Sequence, residues 1–413
     1  MTACVDPAQA VLTFVIAGPL EQFTGGYLYD KRVITELRAL GWTVRIAALP
    51  GRFPLVDACA REAFEAALAE LPDGARVVVD GLVLGALPEP AHRHAHRIDL
   101  TALVHHPLAD ETGWSEDTRQ ALLASERAAL AAAHRIVTTS RFTARRLAAL
   151  GLSDSPVAVV EPGVDLPPGV HRRPTAADAS PGRNGLGGQR ALSSPSSCLP
   201  AVRDQPGPAD TPPSSTRSTH LLCIATLIPR KAQDVLVAAL AEIADLPWQC
   251  ELVGSLTRDP GYVAHVRTAI ANAGLEARIL LRGELPPEAL SATYLGADLF
   301  VFPSHFEGYG MAVAEAIAHG LPVVTTHGGA LADTVPPGCG LSVPPGDASA
   351  LARALRAVLT DDTLRAHLQA AVHDQRTGFP SWAATARLFA ETLTESSPAS
   401  ARDKDAAKAG HTA

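Results

Sequence analysis

Short apolar runs alternate with amphipathic stretches along most of the chain. Runs that are apolar at every position are typical of parallel strands buried on both faces, and apolar residues three or four positions apart are typical of helices. Strands are predicted at 11–18, 43–49, 76–82, 100–106, 134–140, 157–163, 220–226, 248–255, 278–284, 298–304 and 321–327. Helices are predicted at 31–42, 121–133, 141–152, 233–244, 262–274, 286–297, 311–319 and 381–393. This alternation predicts an α/β protein with doubly wound parallel sheets.

The pattern is interrupted at 171–218, a segment rich in Pro, Ser, Gly and Ala that has no hydrophobic period. Such a composition cannot bury enough apolar surface to offset its ordering entropy. We therefore predict a domain at 10–170, a disordered insertion or linker at 171–218 and a second domain at 219–380. A helix at 381–395 and a disordered tail at 396–413 are predicted to follow. Two similar sheets create a cleft at the carboxyl ends of their strands, where α/β sheets bind ligands.

Length and charge narrow the class of protein. The 413 residues suit two domains, and the net charge of -8 argues against nucleic-acid binding. No apolar run reaches the about 18 to 20 residues of a membrane span, and the first residues lack the pattern of a signal peptide. The expectation is a cytoplasmic protein without a transmembrane segment.

Two glutamates mark the strand–helix corner at 298–319. Glu307 precedes the helix, and Glu315 lies within its otherwise apolar sequence MAVAEAIAH. Burying a carboxylate without a partner costs several kcal/mol, so two carboxylates at this corner indicate a function. Gly308 and Gly310 let the backbone approach a ligand closely, and the helix N-terminus directs free N–H groups toward it. The corner therefore predicts a site for an anion such as a diphosphate.

Two basic residues, Arg230 and Lys231, follow the strand at 220–226. Two such charges opposite a helix N-terminus would clamp a diphosphate and stabilise the charge that develops as it leaves. The alternative is a solvated turn with two ordinary basic residues. A dinucleotide fingerprint is not favoured, because its third glycine would fall at Val313.

Several of these segments together resemble glycosyltransferase family 4. The residues from Glu307 to Glu315 match its E-x7-E motif, in the strand–helix–strand setting of that family. Residues 224–240 resemble its diphosphate loop, residues 162–165 resemble the motif that closes its N-terminal domain, and a glycine pair follows the first strand. The resemblance covers residues 10–395 apart from the insertion.

This resemblance implies a GT-B fold, in which two Rossmann-like domains face each other across a cleft. The C-terminal domain would bind a nucleotide-sugar donor and the N-terminal domain the acceptor, an unidentified small molecule, glycan or lipid. Transfer would retain the anomeric configuration and require no metal and no cofactor. The sequence agrees on the metal, because its only D-x-D, Asp403 to Asp405, lies in the tail.

The family pattern implies roles for individual residues of the C-terminal domain. Glu307 would contact hydroxyls of the donor sugar, and Glu315 would contact the ribose hydroxyls. Lys231 would bind the diphosphate as leaving group. The backbone N–H groups that would contact the sugar and phosphate are those of Gly308, Tyr309, Gly310 and Met311.

In the N-terminal domain, Gly26 would let the first loop approach the diphosphate. His106 resembles the histidine near the transferred sugar, and its neighbour His105 is the alternative. No carboxylate in the N-terminal motifs stands out as a nucleophile. The resemblance therefore favours front-face attack, in which the leaving diphosphate takes the acceptor proton.

The chain departs from the family pattern at two places. Ala225-Thr226 replaces a common Gly-Arg pair, and Arg230 is our hypothesis for the substitute of the missing arginine. Glu161 and Pro162 replace the more usual Pro-Asn, which leaves the local backbone contact open.

Other interpretations remain open. One is another GT-B enzyme, such as a sugar-nucleotide epimerase or a phosphorylase, and a second is a non-catalytic nucleotide-sugar-binding protein. A third is an enzyme at the inner membrane surface that acts on a lipid acceptor, because the basic helix face of Arg141, Arg145 and Arg146 also suits a membrane. The histidines of residues 92–96 are interpreted as part of a polar loop, with a weak metal site as the alternative.

Overall fold

The computed structural model describes residues 11–22, 24–153, 156–172 and 218–395. Most of the predicted insertion and the whole predicted tail lie outside these residues. The domain boundaries therefore stay predictions, while the elements on either side of the insertion can be compared with the sequence pattern.

The first sheet is built from residues 11–159 and is entirely parallel. Its strands are β1 (Val11–Ala17), β2 (Thr43–Leu49), β3 (Arg76–Asp80), β4 (Asp99–Val104), β5 (Arg135–Thr138) and β6 (Ala158–Val159). Its helices are α1 (Gly25–Ala39), α2 (Ala58–Ala69), α3 (Gly81–Leu84), α4 (Pro88–Ala95), α5 (Glu116–Ala131) and α6 (Arg141–Ala149). The strand order is β2-β1-β3-β4-β5-β6, and the almost uninterrupted apolar sequences of β1 and β3 are buried on both faces.

The second sheet is also entirely parallel. Its strands are β7 (Thr219–Ile224), β8 (Trp248–Val253), β9 (Ile279–Gly283), β10 (Leu299–Phe302), β11 (Val323–Thr326) and β12 (Gly340–Val343). The helices are α7 (Gln233–Glu242), α8 (Pro260–Asn272), α9 (Pro287–Gly296), α10 (Met311–Ala318), α11 (Leu331–Thr334), α12 (Ala348–Thr360), α13 (Asp362–Gln375) and α14 (Trp382–Thr394). The strand order is β12-β11-β10-β7-β8-β9. Two parallel sheets flanked by helices confirm the predicted α/β class with two Rossmann-like domains.

The last helix joins the two domains. Although α14 follows the second sheet in the chain, it packs on α1 of the first domain, and Trp382 and Phe389 belong to that domain's core. The Trp382 ring lies edge-on to Tyr29, with ring centroids 5.9 Å apart. Ser381 caps α14 by accepting a hydrogen bond from the Ala384 N–H. The predicted C-terminal helix is therefore structurally part of the N-terminal domain.

Two details of the sequence interpretation are wrong. The first helix begins at Gly25 rather than at residue 31, because Tyr27, Asp30, Ile34 and Leu37 already follow a helical period and are buried. The histidines of residues 92–96 do not lie in a loop. They belong to α4 and its C-terminus, which the polar composition concealed.

The histidines of α4 make ordinary hydrogen bonds. His94 is buried and its Nε2 lies 2.9 Å from Glu65 Oε1, while His92 Nε2 lies 2.9 Å from the carbonyl oxygen of Ala128. Their ring nitrogens point to different partners. The structure therefore gives no support to the alternative of a metal site here.

The basic face of α6 is neutralised by nearby carboxylates. Arg146 binds Asp110 through two hydrogen bonds of 2.7 and 2.8 Å, and Arg145 pairs with Asp333 at 2.5 Å. Arg141 lies 3.7 Å from a carboxylate oxygen of Glu161. Within the described ranges, no helix combines the length and the apolar character needed to cross a bilayer.

Candidate active site

The carboxyl ends of two adjacent strands define the central point of the site. β7 and β10 are neighbours in the second sheet although β8 and β9 separate them in the chain, so the chain changes direction between them. Such switch points bind ligands, because the loops that leave the two strands diverge and open a crevice. The loop after β7 carries Lys231 and the loop after β10 carries Glu307. The structure thus brings together two residues that the sequence places 76 positions apart.

Lys231 and Glu307 form a buried ion pair. The Lys231 Nζ donates to Glu307 Oε1 at 2.6 Å, and the Ser304 hydroxyl donates to the same oxygen at 2.5 Å. Burial alone would raise the pKa of Glu307, but the charges of Lys231 and Arg230 outweigh it and hold the pKa below its usual range. The pair therefore presents a fixed ammonium and a fixed carboxylate at the mouth of the switch point.

Arg230 connects this pair to the other domain. Its Nη1 donates to the Phe306 carbonyl at 2.9 Å and lies 3.5 Å from Glu307 Oε1. Its Nε lies 2.9 Å from Oε1 of Glu111, which belongs to the N-terminal domain. Sequence reasoning missed Glu111. The guanidinium is therefore held by both domains, and its predicted role toward the leaving group stays a hypothesis.

His106 lies at the N-terminal end of the same charge network. Its Nε2 is 3.5 Å from Glu111 Oε2, and its ring contacts the Phe306 ring edge-on. Burial would raise the pKa of Glu111, but the hydrogen bond with His106 and the charge of Arg230 lower it to about 2. A chain of polar contacts thus crosses the cleft from His106 through Glu111, Arg230 and Glu307 to Lys231.

Glu315 lies on α10 and is oriented by a tyrosine of α9. The Tyr294 hydroxyl donates to Glu315 Oε2 at 2.9 Å. Burial raises the pKa of Glu315 to about 7, although the Tyr294 hydrogen bond opposes this, and the charge of Asp165 adds to the rise. The Glu315 carboxyl is thus held against α9 and is not solvated on an exposed helix face. A carboxyl group whose pKa is perturbed by burial is a candidate for a functional site.

Two glycines of the motif are required by geometry. A Cβ on Gly308 would lie 2.2 Å from the carbonyl oxygen of His105, so only glycine permits this approach of the two domains. Gly310 has a φ of 95° and immediately precedes the first residue of α10, Met311. A Cβ there would also meet Leu331 at 2.7 Å. Both glycines therefore serve close contacts within the protein, and their approach to a ligand stays a prediction.

A second pair of glycines, Gly328 and Gly329, packs against the backbone around Glu307. Gly329 forms a parallel β-bridge with Glu307, and the Ala330 N–H donates to the Glu307 carbonyl at 2.8 Å. A Cβ on Gly329 would lie 2.2 Å from that carbonyl oxygen, and one on Gly328 would lie 2.2 Å from the His305 carbonyl oxygen. Sequence reasoning missed this pair, although two adjacent glycines after a buried strand are a usable signal of close backbone approach.

Two aspartates that sequence reasoning also missed surround His105. His105 Nε2 lies 3.1 Å from Asp30 Oδ1 and 3.9 Å from Asp80 Oδ2. Asp30 is completely buried, and its Oδ2 has no hydrogen-bond partner among the described residues. Asp80 ends a buried strand at its carboxyl edge, and Asp30 lies one helical turn after Gly26. Both positions could have identified these aspartates from the sequence, because residues at the carboxyl ends of strands, or one helical turn from a predicted site residue, lie near the ligand site.

Electrostatics links these three groups, which we call the histidine–aspartate cluster. Burial would lower the pKa of His105, but Asp30 and then Asp80 raise it. Burial raises the pKa of Asp80 to about 6, and the charge of Asp30 adds to the rise. The three ligand atoms lie within 4.8 Å of one another, the one such group of three among the described residues. A metal ion would require the same atoms that pair with each other here.

Gly26 provides space for this cluster. A Cβ on Gly26 would lie 3.2 Å from the His105 ring. A side chain at position 26 would therefore require the His105 ring to shift by a few tenths of an ångström. The approach of Gly26 to a diphosphate stays a prediction.

The stability of the folded protein should depend on pH through His105. A raised pKa means that the folded state holds the His105 proton more tightly than the unfolded chain, whose histidine titrates at about 6.5. This stabilisation is complete below pH 6.5 and is lost as the pH rises through the folded pKa. We expect His105→Gln to reduce the free energy of unfolding more at pH 6 than at pH 9, as measured by urea unfolding. His96→Gln, on an exposed position, is the control, and an equal loss at both pH values would contradict the assignment.

Two family models of glycosyltransferases match parts of the chain. Residues 211–374 match the model described as "Glycosyl transferases group 1", and residues 77–167 match that of "Glycosyltransferase Family 4". The first match contains the whole Lys231–Glu307–Glu315 site, and the second contains His106 and Glu111. Both domains of the chain are thus similar to glycosyltransferases, the N-terminal one to family 4 and the C-terminal one to group 1.

Relatives and solved structures agree with this assignment. The D-inositol 3-phosphate glycosyltransferase of Nocardia farcinica is 32% identical over 306 residues, which cover 69% of this chain and 57% of the relative. The chain spans about half the length of the curated relatives it matches.

Solved structures share the fold over almost the full chain. Sucrose-phosphate synthase from Thermosynechococcus elongatus has a TM-score of 0.68 at 20% identity, covering 92% of this chain and 97% of its own. Anabaena HepE, solved with UDP and glucose, has a TM-score of 0.64 at 16% identity, covering 93% and 99%. The likeness confirms the predicted GT-B fold.

Proposed function

We propose that this protein is a retaining, metal-independent glycosyltransferase that moves a sugar from a nucleotide-diphosphate-sugar donor to an acceptor hydroxyl. The observation that carries the proposal is the buried Lys231–Glu307 pair at the β7/β10 switch point. Glu315 follows Glu307 on the adjoining helix α10. An ammonium for a diphosphate and carboxylates for sugar and ribose hydroxyls are the groups that a nucleotide sugar requires. HepE, which has the same fold, was solved with UDP-glucose, which supports this class of donor.

In the proposed reaction the acceptor oxygen attacks the anomeric carbon from the face that the diphosphate leaves. The bond between the anomeric carbon and the β-phosphate oxygen breaks, and the acceptor proton passes to a phosphate oxygen. Lys231 and the N–H groups of Gly308 to Met311 at the start of α10 stabilise the charge on the leaving diphosphate. Glu307 orients the sugar through its hydroxyl groups, and Glu315 holds the ribose.

The N-terminal domain supplies the opposite wall of the site. His106 faces the charge network, whereas His105 is held by Asp30 and Asp80 beneath Gly26. We assign the contact with the transferred sugar to His106 and a positioning role to the histidine–aspartate cluster. The acceptor, whether a small molecule, a glycan or a lipid, would bind on this side.

Donor hydrolysis tests the proposed reaction without knowledge of the acceptor. The protein is incubated with UDP-, GDP-, ADP- or dTDP-sugars in the presence of EDTA, and release of the nucleoside diphosphate is measured. We expect release from one nucleotide class, at a rate that EDTA does not change. NMR of the first sugar released should show the anomer of the donor. The opposite anomer would contradict retention, loss of activity with EDTA would contradict metal independence, and sugar isomerisation without release would favour an epimerase.

Arg230 is proposed to substitute for the arginine that is absent at position 226. Arg230→Ala should lower donor turnover, because it removes a cation 3.5 Å from Glu307 and breaks the contact with Glu111. We expect a loss of about tenfold or more, the value of one charge-assisted hydrogen bond. Arg282→Ala, at an exposed position of β9, is the matched control. Unchanged turnover in Arg230→Ala would contradict the substitution.

A further inference from the structure

A cavity of about 230 Å³ lies beside the donor motif, where the two domains meet. Its walls come from both domains and from the segment that crosses between them. The lining includes Arg141, Glu161, Tyr309, Asp333, Gln375 and Phe379. Lys231, Glu307 and Glu315 do not line it, but it adjoins the proposed donor site and shares Tyr309 with it. We call it the hinge cavity.

The strongest indication of a ligand is the Tyr309 side chain. Tyr309 is only 8% exposed, yet its hydroxyl makes no hydrogen bond with any residue that the structure describes. Burial, and next the charge of Glu161 on the same wall, raise the pKa of Tyr309 well above its usual range. Buried tyrosine hydroxyls usually have a partner. The Tyr309 hydroxyl is accessible in this cavity, so a ligand there can bond to it without breaking a hydrogen bond within the described residues.

The charges around the hinge cavity favour a neutral ligand. Each carboxylate on its wall has a guanidinium nearby, with Glu161 3.7 Å from Arg141 and Asp333 2.5 Å from Arg145. Two negative and two positive groups balance, so the cavity has no net attraction for an ion. The carboxylate oxygens, the Tyr309 hydroxyl and the Gln375 amide still offer both acceptors and donors to a polar ligand.

The size of the cavity excludes a nucleotide. Pockets for drug-sized ligands have volumes of about 300 to 1,000 Å³, and the hinge cavity is smaller. It suits a single ring. The Phe379 ring and the neighbouring prolines, Pro336 and Pro380, form apolar walls against which the face of such a ring can pack.

We propose that the hinge cavity binds a neutral polyhydroxylated ring of monosaccharide size. Glu161 and Asp333 accept hydrogen bonds from its hydroxyls, and the Tyr309 hydroxyl completes the set. Because both domains contribute walls, an occupant stabilises the closed arrangement of the domains. Tyr309 adjoins Gly308 and Gly310, so occupancy also couples to the donor motif. The ring is either a sugar unit of the acceptor or a free ligand.

Binding is tested on the full chain without donor. Glucose and myo-inositol are the neutral probes, glucosamine and gluconate are the charged comparators, and binding is followed by saturation-transfer NMR and calorimetry. We expect saturable binding of a neutral probe, weakened about tenfold in both Glu161→Gln and Tyr309→Phe. Tyr309→Phe should fold normally, because the lost hydroxyl has no partner in the described structure. Glu288→Gln, an exposed position, is the matched control, and Glu315→Ala should retain binding because it alters only the donor site.

The outcomes separate the proposal from its rivals. Absence of saturable binding, unchanged binding in both variants, loss of binding in Glu315→Ala, or a preference for a charged comparator would each overturn it. Once a nucleotide sugar that the protein hydrolyses is added, consumption of the bound probe identifies an acceptor unit. A probe that is not consumed but changes donor turnover identifies a free ligand. Because binding is measured without donor, failure here leaves the proposed transferase reaction unaffected.

Discussion

Replacing Lys231 by methionine is expected to lower donor turnover by about 10²- to 10³-fold, the usual loss when one group that stabilises a developing anion is removed. Lys231 is the cation at the switch point whose ammonium hydrogen-bonds to Glu307, and methionine keeps the length of its apolar stem. The ammonium acts on charge that appears only as the diphosphate leaves. The loss should therefore fall mainly on kcat rather than on KM.

Nucleoside diphosphate release from the donor measures this effect. The matched control is Lys31→Met on the exposed face of α1, the only other lysine that the structure describes, which should retain the wild-type rate. A Lys231→Met variant that folds, binds donor and turns it over at close to the wild-type rate would contradict the assignment of the leaving group to this site.

Removing the charge of Glu307 is expected to destabilise the fold strongly. The side chains of Glu307 and Lys231 are 9% and 15% exposed, and Glu307→Gln leaves the ammonium buried beside Arg230 without its carboxylate. Breaking a buried ion pair from one side costs about 3 to 5 kcal/mol. Urea unfolding at pH 7 should show this loss in the free energy of unfolding.

A double variant distinguishes the ion pair from general damage to the core. Replacing both partners by apolar residues of similar size, as in Lys231→Met with Glu307→Leu, should recover most of the lost stability because no unpaired charge remains. Glu288→Gln on the surface is the control for the loss of a carboxylate. Strictly additive losses in the double variant would show that the two side chains are not energetically coupled.

The architecture could be predicted from sequence because buried parallel strands leave a simple signal. VLTFVIA in β1 and LFVF in β10 are apolar at almost every position, and both are buried strands of the sheets. The order of the strands could not be predicted in this way. The order depends on which strands pair across the sheet. β7 pairs with β10 although about 75 residues separate them in the chain.

The region after residue 328 contains four elements that the sequence analysis does not predict. β12 and the helices α11, α12 and α13 were not predicted there, although Asp347 and Asp361 are helix caps that accept from Ala350 and Leu364. α4 was missed for another reason. Its two histidines and two prolines resemble a loop in composition, and the burial of Pro90, Ala91 and His94 on one face shows the helix.

Within the active site, residues from the C-terminal motifs were found and their N-terminal partners were missed. Glu307, Glu315 and Lys231 lie in short segments with a known spacing, so the sequence identifies them. Glu111 and Asp80 acquire their roles from contacts across the cleft or around His105. Such contacts connect distant parts of the chain and leave no local pattern.

The ion pairs from Glu111 to Lys231 connect the two domains. In this structure Lys231 and Arg230 have their charges balanced by Glu307 and Glu111. In the proposed function, a diphosphate at the switch point would offer these cations a second anion.

The most direct test of the central claim is a thermal-shift measurement with UDP-, GDP-, ADP- and dTDP-sugars in EDTA, on the wild type and on Glu315→Ala. A ligand that binds only the folded state must raise the melting temperature with its concentration. We predict a rise with one nucleotide class in the wild type and a much smaller rise in Glu315→Ala. A folded wild-type protein whose melting temperature none of these donors raises would contradict the assignment of a nucleotide-sugar site.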